Sequence, residues 1–261
     1  MARRWQRKLG KTIATKLPEE YQQHWKVFDE EAAKRFPPSR IEDMKIPLHP
    51  DAPKTINCKI YPLNREEENY VREFLLEEEA KGYIYPGPSP ITSPTFVREK
   101  KEDGEKRIIM DYREVNKHSV QDNDVMVNIK TILELLSGKE LFSKFDIQWA
   151  YKNIHIAEED QYKAAFKTTF GTYIPRVMYF GLTNAPPHFQ RVLRHDFTPV
   201  LQKYPNEAFN YMDDFVVAKK SHQKELIYTN RFAMSFWTSW RNGHTSSNCQ
   251  SASLNSLKWP C

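Results

Sequence analysis

Cysteine is scarce in this chain. Cys58, Cys249 and Cys261 are the only three in 261 residues, and no two of them form a Cys-x-x-Cys pair. A disulfide framework is therefore excluded as the basis of the fold, no zinc-ligand spacing is present, and a reducing compartment is expected. Long apolar runs are also missing: no stretch of about 18 hydrophobic residues occurs, and the basic start Met1-Ala2-Arg3-Arg4 is not followed by the apolar core of a secretory signal. The expectation is a soluble, intracellular protein, cytoplasmic or nuclear. A third scarcity is local. No Asp or Glu follows Glu225, while three of the six Trp and two of the three Cys fall in that same segment together with Ser246, Ser247, Ser251 and Ser253. Residues 226–261 are accordingly expected to be disordered, or to be read in another frame from about Ile227 onward.

What is present suffices for one sizeable core. At 39% hydrophobic residues, a chain of 261 builds one domain with tails rather than two compact domains. Its net charge of +5 is a mild basic excess that suits a polyanionic partner without specifying one. Pro18, Pro37, Pro38, Pro47, Pro50, Pro53 and Pro62 break up residues 1–63, which read as an extended lead-in. Residues 64–225 then carry the periodic patterns of a folded domain.

The most informative of those patterns is Tyr211-Met212-Asp213-Asp214, flanked by Phe209 and by Phe215-Val216-Val217-Ala218. It reads as strand, tight turn, strand with both carboxylates at the tip. Asp146 closes a second strand-like run, Leu141-Phe142-Ser143-Lys144-Phe145. Asp-Asp alone is a common turn dipeptide. Three carboxylates at two strand ends, however, repel one another unless divalent cations neutralise them, and a pair of magnesium ions held there can activate a hydroxyl and hold a departing pyrophosphate.

Other elements follow from local signals. Asn64 and Glu67 form a capping box ahead of a helix with Tyr70, Val71, Phe74 and Leu75 on one face, Glu77-Glu78-Glu79 on its solvated side and Gly82 at its end. Asp103-Gly104 predicts a hairpin between Phe96-Val97-Arg98 and Arg107-Ile108-Ile109. Its cations Lys100, Lys101, Lys106 and Arg107 either solvate an exposed ribbon or meet a triphosphate. A second helix, capped by Asn128 and ended by Gly138, places Ile129, Ile132, Leu133 and Leu136 on one face as core. Phe166-Lys167-Thr168 and Tyr173-Ile174 form another hairpin around Gly171. Ala185-Pro186-Pro187 then opens a helix whose Phe189, Val192, Leu193, Phe197 and Val200 pack beneath a sheet.

Six blocks stand in a recognisable order: Ile84 to Pro94, Arg107-Ile108-Ile109-Met110-Asp111-Tyr112-Arg113-Glu114-Val115-Asn116-Lys117, Phe142 to Tyr151, Lys163 to Gly171, Val177 to Gln190, and Tyr211 to Asp214. The segment from about Asn64 to Lys220 thereby resembles the fingers and palm of reverse transcriptases, in particular those of gypsy-type LTR retrotransposons. The resemblance implies an α+β fold, a right-hand polymerase with fingers and a mainly antiparallel palm sheet backed by helices. The thumb and RNase H of a full-length polyprotein are not recognisable in the sequence. It implies RNA-directed DNA polymerase activity on an RNA template, a DNA primer and dNTPs, with Asp146, Asp213 and Asp214 holding two Mg2+ ions, or Mn2+ in their place. Arg107 would contact the α-phosphate and Lys100 the γ-phosphate, with Lys101 as its alternate. Tyr151 would lie under the sugar and exclude a 2′-hydroxyl. Phe180, Gly181, Tyr211 and Met212 would line the nucleotide and template base, and Gln190 ends its motif with no assigned role. A relic that only binds nucleic acid, and another metal-dependent phosphoryl transferase or nuclease, are the alternatives. Three residues depart from the family pattern. Tyr179 stands where a proline is usual, Lys106 where an aromatic is common, and Pro175 falls in an expected strand.

Overall fold

The structure, a computed structural model, describes residues 36–37, 39–99, 104, 106–122, 128–147 and 149–220, five positions between 17 and 25, and the backbone of 252–255; the side chains of 146, 199 and 200 are not among those described. Most of the tail 226–261, and Lys100 and Lys101, lie outside the described residues. The chain divides into two compact units, where length and composition predict one domain with tails; the segments of each unit alternate along the chain, which composition does not reveal. One comprises Met1–Arg35, Asp124–Ala150 and Phe189–Cys261, the other Phe36–Asn123 and Tyr151–His188.

The first unit is built on an antiparallel sheet of β5 (Leu141–Ile147), β8 (Ala208–Tyr211), β9 (Asp214–Lys219) and β10 (Ala252–Asn255), in the order β10-β5-β9-β8. Alternation sets its packing. Phe145, Phe215 and Val217 are buried, and the ring of Phe215 lies 6.3 Å from that of Phe145 and 5.1 Å from that of Phe197. Phe197 belongs to the helix Ala185–Lys203, whose prolines occupy its first turn, where no intrahelical N–H is lost. Phe189, Val192, Leu193 and Phe197 form the buried stripe that its spacing predicts, and the side chain of Val200 lies outside the described residues.

The helix Ile129–Leu136 is capped as expected, Asn128 accepting from the Lys130 N–H at 2.9 Å. Its burial is not as expected. None of its residues is buried, and Ile129 and Leu133 are 54% and 61% exposed. Periodicity shows only that a helix has an apolar face; what covers that face depends on the rest of the fold.

The second unit holds a mixed sheet in the order β1-β3-β6-β7-β2, with β4 paired to β3. Its strands are β1 (Ile56–Asn57), β2 (Ile84–Pro86), β3 (Ile91–Glu99), β4 (Lys106–Met110), β6 (Phe166–Thr168) and β7 (Gly171–Pro175). β3 runs parallel to β1 and to β6, and antiparallel to β4 in the register Arg98↔Arg107. The expected cationic hairpin is therefore formed, with Gly104 at φ 69° near its tip. β6 and β7 make the second predicted hairpin. Pro175 is the last residue of β7, where a missing donor disturbs the ladder least.

Helix α1 (Arg65–Ala80) carries the full capping box, with the Glu67 N–H donating to Asn64 at 2.9 Å and the Asn64 N–H donating to Glu67 at 2.8 Å. Val71 and Leu75 are buried, and Gly82 ends the helix region at φ 73°. The acidic triplet is not uniformly solvated. Glu77 and Glu79 are exposed, but Glu78 is only 2% exposed, because partners from two other segments neutralise it within the unit. No helix among the described residues is long and apolar enough to cross a membrane.

Two substitutions grade these contributions. Phe215→Ala should lower unfolding stability by about 3–5 kcal/mol, since its ring fills the space between two others, whereas Asn64→Ala should cost about 1 kcal/mol through the lost cap. Urea denaturation of both variants beside the wild type checks the order.

Candidate active site

The carboxylates come together through backbone register. β5 and β9 pair so that Asp146 stands directly opposite Asp214, and the Ile147 N–H donates to the Asp213 carbonyl at 3.1 Å. Opposed residues in an antiparallel pair have Cα atoms about 4.5–5.5 Å apart, so these two acids share one strand end. Asp213 occupies the two-residue turn between β8 and β9 and is exposed, while Tyr211, Met212 and Asp214 are half-buried. The three predicted metal-binding positions are thus neighbours in one sheet.

The turn itself is strained. Met212 adopts φ 54°, a left-handed conformation that costs a residue with a side chain about 1–2 kcal/mol. Gln190 offsets that cost. Its Oε1 accepts the Met212 N–H at 2.7 Å, its Nε2 donates to Asn210 Oδ1 at 2.7 Å, and Asn210 donates back to the Met212 carbonyl at 3.4 Å. Gln190 and Asn210 are both buried, so the hairpin bearing Asp213 is bolted to the helix beneath it. The motif position of Gln190 carried no role in the sequence; its role is to hold this backbone.

Lys144 is a second residue that sequence reasoning missed. Its Nζ lies 2.8 Å from Asp214 Oδ1, a half-exposed ion pair in which an ammonium neutralises one of the carboxylates. Two residues before Asp146 on the same strand, it carries no sequence signal beyond the strand pattern. Among the described side chains, which do not include Asp146, no three His, Cys, Asp or Glu converge as a ready metal cage. The donor chemistry nonetheless fits a hard divalent ion: carboxylate oxygens at adjoining strand ends, with their negative charge already drawing a cation.

The other predicted residues belong to the second unit. Arg107 is an exposed residue of β4. Tyr151 and Phe180 meet, their ring centroids 4.5 Å apart, the former 8% and the latter 69% exposed. Gly181 has φ 107°, and a Cβ there would stand 3.1 Å from the Met110 carbonyl oxygen and 3.3 Å from the Tyr112 ring. Only glycine fits so close to the end of β4. Its carbonyl accepts from Asn116 Nδ2 at 2.7 Å, which ties the Phe180 loop to helix α2 (Arg113–His118).

Where β4 meets α2, Arg113 grips Asp111 with two hydrogen bonds of 2.7 and 2.6 Å, and the Tyr61 hydroxyl donates to the same carboxylate at 2.9 Å. The Arg113 hydrogen bonds, against an opposing effect of burial, hold the Asp111 carboxyl down at about 2. A folded value below the ordinary 3.8 means that Asp111 contributes stability above about pH 4 and loses it as the pH falls through about 2.

An antiparallel sheet with three aspartates at adjoining strand ends, in a chain that also carries a mixed sheet with the basic β3–β4 pair, defines an α+β protein of the polymerase palm and fingers class. Comparison with known proteins agrees. The reverse transcriptase (RNA-dependent DNA polymerase) family matches residues 99–242, and the chain belongs to that family. It is 33% identical over 175 residues to the retrovirus-related Pol polyprotein from transposon 297 of Drosophila melanogaster, covering 66% of this chain and 16% of the polyprotein. It is 30% identical over 176 residues to the corresponding polyprotein from transposon gypsy of the same organism, covering 66% of this chain and 17% of the polyprotein. The enzymatic polyprotein of cauliflower mosaic virus (strain Strasbourg) is 31% identical over 173 residues, 65% of this chain and 24% of that protein. The chain thus matches between about a sixth and a quarter of the length of these relatives. Reverse transcriptases normally use divalent metal ions.

Two measurements probe the site's scaffold. Replacing Gln190 with Leu should cost about 1–3 kcal/mol and expose the Met212 N–H to solvent exchange, read by hydrogen exchange at that amide. In acid titration, wild type should lose stability relative to Asp111→Asn between about pH 4 and pH 2, and a constant difference across that range would show that the Arg113 bonds do not act on stability.

Proposed function

We propose that this chain carries out RNA-directed DNA synthesis: the 3′-hydroxyl of a primer attacks the α-phosphorus of a deoxynucleoside triphosphate paired to an RNA template, and pyrophosphate leaves. The observation that carries this reading is the register of Asp146 opposite Asp214 beside the Asp213 turn, within a chain of the reverse transcriptase family. Asp146 and Asp213 would hold two magnesium ions, Asp214 assisting, with manganese as the substitute. When bound, such ions lower the pKa of the attacking hydroxyl and neutralise the charge of the leaving pyrophosphate.

The chain's own residues bind and orient. Gln190 keeps the Met212-Asp213 turn in one conformation, so that the carboxylates do not reorganise during the reaction. Lys144 must yield Asp214 when a divalent ion enters, so ion binding competes with an internal ion pair. Arg107 contacts the α-phosphate with its planar fork, and Lys100, or Lys101 in its place, meets the γ-phosphate as a point charge. Tyr151 lies under the sugar and rejects a 2′-hydroxyl, and Phe180 packs against the nucleotide and the template base, with Gly181, Tyr211 and Met212 lining the same substrate. The activity is intracellular, in the cytoplasm or nucleus.

Primer extension on poly(rA)/oligo(dT) with magnesium checks the proposal. Wild type should extend the primer, and Asp213→Asn should lose about a hundredfold or more of the rate, equivalent to about 2.7 kcal/mol. Equal extension by the two proteins would sink it.

A further inference from the structure

Glu78 is a buried carboxylate that the proposed chemistry does not use. Its Oε2 accepts two hydrogen bonds, from Lys152 Nζ at 2.6 Å and from the Tyr179 hydroxyl at 2.5 Å, and its Oε1 lies 3.5 Å from Lys81 Nζ. The Lys152 ammonium is also enclosed by aromatic faces, with the ring centroids of Phe74, Tyr83 and Tyr179 at 5.6, 5.7 and 5.3 Å. Burying so many polar groups is unfavourable unless each is satisfied, so the cluster has one good arrangement and resists others. The Tyr179 hydroxyl stays protonated, because burial and then the charge of Glu78 push its pKa well above 10.0. It is therefore a permanent donor.

The position of the cluster in the chain gives it a consequence. Lys152 directly follows Tyr151, and Tyr179 directly precedes Phe180; Tyr151 and Phe180 are the two rings that meet at 4.5 Å. One carboxylate oxygen thus fixes the chain neighbour of each ring. The backbones run together as well, the Met178 N–H donating to the Ile154 carbonyl at 2.9 Å and the Ile156 N–H to the Arg176 carbonyl at 2.8 Å. Tyr179 is buried while Phe180 is 69% exposed, so the loop turns one ring inward to Glu78 and holds the next outward. A proline at 179, usual in the family pattern, has no hydroxyl to make this bond.

We propose that Glu78, acting through Lys152 and Tyr179, is a positioning residue that sets the Tyr151–Phe180 ring pair and thereby the discrimination between deoxyribonucleotides and ribonucleotides. This rests on the reading of the chain as a polymerase in which Tyr151 lies under the sugar. Glu78 touches no substrate in this account. It limits how far Tyr151 can withdraw from a 2′-hydroxyl.

Two variants test it, Tyr179→Phe, which deletes one hydroxyl and keeps the ring, and the double variant Glu78→Gln with Lys152→Met, which removes both buried charges together. Circular dichroism and thermal melting establish that each is folded. Primer extension with dTTP and with UTP should show the dTTP KM rising and the preference for dTTP over UTP falling, each by about tenfold, with kcat for dTTP within about twofold of wild type. A preference within about twofold of wild type in both folded variants would overturn the proposal. A second readout needs no activity. With 3-fluorotyrosine placed at 151, the 19F resonance, shifted by the Phe180 ring, should move or broaden in both variants, and an unchanged resonance would overturn the proposal even if wild type does not polymerise. Absence of extension by wild type alone counts against the polymerase reading, while the fluorine signal still decides whether Glu78 holds the rings.

Discussion

The pairing of β5 with β9 is the constraint on which the candidate chemistry depends. A slip of one residue between these strands would move Asp146 away from Asp214 and turn every side chain of the slipped strand to the other face of the sheet. What prevents the slip is the core behind the acids. Phe145 and Phe215 are opposed in the same ladder, and both are buried with Phe197 of the supporting helix, so the apolar face and the acidic strand end are fixed by one register. Stability and site geometry are therefore not separable here.

The tight turn adds a second layer to that constraint. A left-handed methionine is unfavourable on its own, and it persists because a buried glutamine and a buried asparagine satisfy its backbone on both sides. In the second unit a comparable device operates with charge in place of amides, where Glu78 gathers an ammonium and a phenol from two segments that flank exposed or ring-stacked residues. In both units, buried polar groups hold a backbone whose neighbouring side chains face outward. Apolar packing alone would tolerate small rotations that these hydrogen bonds do not.

The local elements were legible in the sequence to the extent that their signals are local. The Asn64 capping box, the glycine that follows its helix and the 96–109 and 166–174 hairpins rest on chemistry within a few residues and stand where that chemistry predicts, with Asp103 outside the described residues; the acidic turn differs, because Met212 and Asp213 form it and Asp214, expected at the tip beside Asp213, pairs in the ladder as the first residue of β9. Two further differences share an origin. An acidic run predicts solvent around Glu78, and an apolar face predicts core for the helix Ile129–Leu136; the structure shows the reverse of both. The partners of Glu78 lie 74 and 101 residues away and leave no local signal, and an apolar helix face does not by itself say whether anything covers it. The roles of Lys144 and Gln190 are hidden for the same reason, since they are defined by residues 70 and 22 positions distant.

By itself the sequence determined three helices and three hairpins within residues 64–220, the family, and which three acids are candidates for metal binding, because spacing and turn chemistry are written along the chain. Only the tertiary structure decided that Asp146 pairs in register with Asp214, that Gln190 anchors the Asp213 turn, and that Glu78 is an internal ligand of Lys152 and Tyr179. Those facts depend on which segments become neighbours, and that choice is made by the burial of the whole apolar surface at once.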